Sequence, residues 1–162
     1  MSITQRFYPK FFDFAFKIPV DGSPFFSLSG EMTCYVDLYT SGVSFDAERF
    51  LAMNSNGVNI FDFDIPGTTK EINVTLTRTG AKIFFNIPEI YWETAPGTPF
   101  RHAIVRTPGL LSKTFMHIDF GSDLNPLAGF RLTQNPSCIP HIDFTPIACV
   151  AGGGGNFDVM SP

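Results

Sequence analysis

Alternation with a period of two is the dominant pattern along this chain. In "FFDFAFKI", Phe12, Phe14, Phe16 and Ile18 fall on one side, and Phe11, Asp13, Ala15 and Lys17 fall on the other. Side chains alternate across a strand, so this reads as a strand with one face on a core. "EMTCYVDLYT" alternates less strictly and predicts a more deeply buried strand. "VNIFDFDI" places Phe61 and Phe63 on one side with Asp62 and Asp64 on the other. The clearest hairpin is "EINVTLTRTGAKIFFNIPEIYW". Ile72, Val74 and Leu76 alternate with polar residues, Arg78-Thr79-Gly80-Ala81 supplies the turn, and Ile83, Phe85 and Ile87 return. Pro88 marks a bend, an end or an edge of the returning strand.

Further short strands are predicted at "RHAIVRT", "TFMHIDF", "GFRLTQ" and "PHIDFTPIACV". Pro66-Gly67, Pro96-Gly97 and Pro108-Gly109 punctuate the chain between them. Many short strands with such turns predict an all-β, two-sheet sandwich of jelly-roll-like type. The one helix candidate is "SFDAERFLAMNSNG", capped by Ser44 or Asp46, with Ala47, Phe50 and Leu51 inward and Gly57 as its stop. Residues 1–150 are expected to form a single domain. Residues 151–162, "AGGGGNFDVMSP" with its first alanine, read as a glycine-hinged arm.

Composition sharpens this picture. The 162 residues are enough for one domain with a substantial core. Charged residues make up only 16%, against about 25% in an ordinary domain, while the chain has nineteen Phe. More apolar surface is therefore expected than one small core hides, and an oligomer or larger assembly would cover the rest. The net charge of −4, with no run of Lys or Arg, argues against direct contact with nucleic acid. The N-terminal segment does not read as a signal peptide, because Asp13 and Lys17 interrupt its apolar stretch, and no stretch has the length of a membrane span. Synthesis in the host cytoplasm, without membrane contact, is the expectation. Cys34, Cys138 and Cys149 match no zinc spacing and read as buried thiols, with a Cys138–Cys149 bridge left open.

The tetrapeptide His-Ile-Asp-Phe occurs twice, at 117–120 and 141–144. In a strand, His117 and Asp119 share a face, as do His141 and Asp143. Were these strands neighbours, two imidazoles and two carboxylates would suit a transition metal in a cupin-like enzyme. The pattern is short, however, and two polar strand faces explain it as well. No metal or other cofactor is assigned. Asp62 and Asp64, with Asp119 or Asp123, read as solvated acids rather than a calcium site. Tyr91 and Trp92 could stack on a sugar in a receptor-binding module or fill a partner's pocket, although Trp92 reads more readily as core, continuing the Ile90 side of its strand. No phosphate loop, nucleophile elbow or zinc-protease motif occurs.

Three features together carry a resemblance at the level of class: a compact β domain without a secretory signal, a charge-poor Phe-rich composition, and the C-terminal glycine arm. In these the chain resembles small virion proteins of viruses and tailed bacteriophages, such as capsid decoration (cement) proteins. That resemblance implies a non-enzymatic structural role in the virion and a homotrimer bound to a major capsid protein or other virion component. The contact residues expected are Phe7, Tyr8 and Phe11 near the N-terminus, Tyr91 and Trp92, and Phe157, Val159 and Met160 in the arm.

Overall fold

The structure, a computed structural model, describes residues 3–9, 11, 30–46, 64–79, 82–108, 113–136, 139–144, 149–151 and 157–160. The strand expected over Phe12–Ile18, the helix from Ala47 onward, and Asp62 lie outside these residues, as do Gly80, Ala81 and Cys138.

Among the described residues, eleven antiparallel strands make two sheets. They are β1 (Thr4–Phe7), β2 (Gly30–Tyr39), β3 (Lys70–Thr79), β4 (Lys82–Asn86), β5 (Ile90–Trp92), β6 (Phe100–Arg106), β7 (Thr114–Leu124), β8 (Phe130–Gln134), β9 (His141–Phe144), β10 (Cys149–Ala151) and β11 (Phe157–Met160). The large sheet runs β1-β7-β6-β2-β3-β4-β9-β10, and the small one β11-β8-β5. The chain is thus an all-β, two-sheet sandwich, with its strands divided eight and three. Among the described residues the only helical feature is a turn after β1, closed by the Phe11 N–H donating to the Tyr8 carbonyl at 3.1 Å.

Alternation explains the inner face of the large sheet. Cys34, Val36 and Leu38 of β2, Ile72, Val74 and Leu76 of β3, and Ile83 and Phe85 of β4 are all buried. Their polar neighbours on β3 (Glu71, Asn73, Thr75 and Thr77) are exposed. Thr79 pairs with Lys82, so the β3–β4 hairpin has the register its pattern predicts. β4 ends at Asn86, two residues before Pro88, and the chain crosses to the small sheet.

The large sheet curls strongly. Phe7 on its first strand meets Phe85 on its sixth, with ring centroids 5.1 Å apart, and both touch Phe115. A bulge in β7 brings Phe115 to this side. Val105 pairs with Met116 and Arg106 with Thr114, which leaves Phe115 as the extra residue. Phe11 packs at a tilt against the same ring, with centroids 5.3 Å apart. Each of these phenyls contributes about 1.5–3 kcal/mol by leaving water.

The small sheet closes one end. Ile90, Trp92, Phe130, Leu132 and Phe157 face inward and are buried. Trp92 stacks on Phe130 at 4.9 Å and donates its indole N–H to the Thr68 carbonyl at 2.7 Å. Gln134 ties the two sheets together. Its amide donates to the Phe85 carbonyl at 2.9 Å and accepts from the Ile87 N–H at 3.0 Å.

This packing corrects part of the expected contact surface. Phe7, Tyr8 and Phe11, together with Trp92 and Phe157, are at most 4% exposed. Their area is spent on the chain's own core and is not presented to a partner. Of the contact residues expected, Tyr91 and Met160 are exposed at 43% and 47%, and Val159 is half-buried.

Candidate functional site

β2 is covered on its second face as well. Tyr39, Asp37 and Tyr35 point away from the Val36 side. Beside the end of β2 runs the segment around Ile65, which bridges to Tyr39 and whose N–H donates to the Leu38 carbonyl at 2.9 Å. Asp37 is 1% exposed. Its carboxylate accepts from Arg106 Nε at 2.7 Å, from Thr69 Oγ1 at 2.5 Å and from the Tyr39 hydroxyl at 3.3 Å. The Arg106 guanidinium also stacks over the Tyr35 ring at 5.0 Å. Burial and the Asp37 charge push the Tyr39 phenol far up. A buried carboxylate with this many donors is satisfied, so this cluster reads as a structural clamp.

The same outer face continues onto β6, β7 and β1, where a second polar cluster forms. His102 pairs across the sheet with Asp119, and Ile104 with His117. Arg6 pairs with His117 from the other side, and Thr4 with Asp119. The pairing brings the two imidazoles together: His117 Nε2 lies 2.9 Å from His102 Nδ1, so one ring donates and the other accepts. His102 and His117 are only 5% and 4% exposed. Phe45 stacks flat on His117 at 5.8 Å, and the Arg6 guanidinium sits over Phe45 at 5.1 Å.

Asp119 closes the cluster. Its Oδ1 accepts from Arg101 Nε at 3.2 Å and from the Gly121 N–H at 2.8 Å, and lies 4.0 Å from His102 Nδ1. Gly121 holds φ at +85°, the left-handed turn that swings its N–H back to the carboxylate. Burial pushes the His117 ring down to about 4, helped by the neighbouring His102 and opposed by Asp119. His102 is lowered for the same first reason, burial. Burial works to raise the Asp119 carboxyl, but the Gly121 N–H and Arg101 outweigh it and hold the group below its ordinary range. At neutral pH the centre is therefore two neutral imidazoles beside a carboxylate. A cavity of about 330 Å³ opens over them, lined also by Thr4, Ser41, Val43 and Ser44.

The two His-Ile-Asp-Phe copies do not build this centre together. The first lies on β7 and the second on β9, with β6, β2, β3 and β4 between them. His141 pairs with Phe84 and packs at a tilt against its ring at 5.2 Å, on the face opposite Phe85. His117 also lies on the outside of the curl, and curling moves such residues apart. His117 and Asp119 are thus separated from the second copy, His141 and Asp143. No group of three or more His, Cys, Asp or Glu among the described residues is arranged to hold a metal ion. Of the acids considered for calcium, Asp64 is in a backbone bridge with Tyr39 and Asp119 is engaged by Arg101.

The partner that sequence reasoning missed is His102. That β6 and β7 neighbour each other was readable from their succession along the chain, but a hairpin folded at Pro108-Gly109 would set His102 opposite Phe115; the observed register, with its two shifts, sets it opposite Asp119. Compared with protein-family models, curated proteins and solved structures, the chain matches none.

Proposed function

We propose that this chain is a structural protein of a virion: a capsid decoration or cement protein, or another small capsid or tail component. It would act as a homo-oligomer, a trimer by analogy with decoration proteins, against a major capsid protein or a similar partner. The observation that carries this reading is the outer face of the small sheet. There Tyr91, Arg131 and Met160 lie side by side across β5, β8 and β11. Tyr91 and Met160 are two of the three large exposed hydrophobics among the described residues; the third, Leu127, is on the loop before β8. The row ends on β11, which follows four glycines in the sequence and is an edge strand of the small sheet among the described residues. Aromatic and Met side chains flanking an Arg are the composition that interfaces favour.

The test is native mass spectrometry of the intact chain beside Y91K and M160K. An oligomer that falls to monomer in both variants, with unchanged circular dichroism, is the expected result. A monomeric intact chain that also fails to bind assembled shells would reject the reading. A sugar- or receptor-binding module is the second reading, favoured by the cavity over His102 and His117 and not by Trp92, which is buried. A metal-dependent cupin-like enzyme loses its proposed ligand set with the separation of the two tetrapeptides.

A further inference from the structure

The cavity over the His102–His117 pair has an imbalance of charge. Its walls carry two guanidiniums, Arg6 and Arg101, and one carboxylate, Asp119. With both imidazoles neutral, one positive charge is in excess, in a chain whose net charge is −4. Arg6 makes no ion pair among the described residues; its guanidinium rests over the Phe45 ring. Arg101 reaches Asp119 through Nε, so its two terminal amino groups remain for another acceptor. Three exposed residues with hydroxyls, Thr4, Ser41 and Ser44, stand on the same rim. Donors thus outnumber acceptors around a small concave site with one aromatic wall.

We propose that this cavity is an oxyanion site, which takes a sulfate, phosphate or carboxylate group between Arg6 and Arg101 and above the paired imidazoles. Guanidiniums present paired N–H donors that match the oxygens of such groups. Asp119 holds Arg101 through Nε, and the Gly121 N–H occupies the same carboxylate oxygen. The arrangement does not depend on the small-sheet face or on assembly. The group could arrive as a free ion or as the substituent of a sugar, and the chemistry that recognises it is the same.

The chain supplies its own control. His141 lies beside Phe84 and Ile139, outside the cavity. The experiment is an NMR titration of the three imidazole C–H resonances with sodium sulfate, against sodium chloride at equal ionic strength, repeated with galactose 6-sulfate. His102 and His117 should shift with sulfate and saturate, while His141 moves only as it does in chloride. R6Q, at an exposed position, should weaken binding about tenfold, and R101Q similarly, through loss of a charge-assisted pair. R6K should recover part of the loss. Tighter binding of the sugar sulfate would identify a glycan substituent as the source, and equal binding a free ion. Identical shifts in sulfate and chloride, or sulfate binding unchanged in both R6Q and R101Q, would overturn the proposal.

Discussion

His102 Nδ1 and His117 Nε2 meet at 2.9 Å, in a layer where neither residue is more than 5% exposed. One proton is shared between two bases, and a second would be placed beside Arg6 and Arg101. The pair is therefore stable only while neutral.

Acid should destabilise the fold through this pair. The unfolded imidazole titrates at 6.5, and folded His117 at about 4. Between those values the unfolded chain binds a proton that the folded chain refuses. Stability is thus complete above pH 6.5 and lost progressively as pH falls toward 4, by about 3 kcal/mol from His117. Urea midpoints at pH 7 and pH 4.5 measure this. H117Q should flatten the slope, and an unchanged slope would place the acid sensitivity elsewhere.

The Asp37 clamp should be the most costly polar group to remove. D37A leaves Arg106, 12% exposed at its side chain, without its carboxylate. Breaking a buried pair on one side costs about 3–5 kcal/mol. Removing both charges, as in D37L/R106M, should recover much of this in a denaturation series.

Gly129 admits no side chain. A methyl group there would sit 2.5 Å from the Trp92 carbonyl oxygen and 2.6 Å from that of Glu93. Both obstacles are backbone, so the strand junction must shift. G129A should cost about 1–3 kcal/mol or more, and the fluorescence of Trp92, the single tryptophan, should report the disturbance.

The Cys34 thiol should be inert. It is fully buried, and burial pushes its pKa up to about 12. A thiolate-directed reagent at pH 8 should label Cys34 only after the chain unfolds. Labelling at the same rate in native buffer and in urea would contradict the packing of β2.

What was legible in the sequence was local. Ile72, Val74 and Leu76 face a core because alternation of period two has one geometric reading. The deep burial of β2 was legible in its weak alternation, but the partners of its second face were not: Asp37 and Leu38 are met by Thr69 and Thr68, about thirty positions later. The same limit separated Phe7, Tyr8 and Phe11 from their place. An aromatic cluster near a chain end reads as a contact surface until the curl of the sheet brings Phe85 and Phe115 to it. The His102–His117 pair needed the register of β6 against β7, and that register shifts twice between Phe100 and Arg106.

The pairing of β1 with β7 has a consequence for birth of the protein. Thr4 lies opposite Asp119, so β1 waits for a strand made more than a hundred residues later. At roughly 5–20 residues per second, the ribosome leaves β1 alone for on the order of ten seconds. During that interval Phe7 is an exposed aromatic on an unpaired edge. The nascent chain therefore passes through a window of vulnerability to self-association, which closes only when the seventh strand arrives.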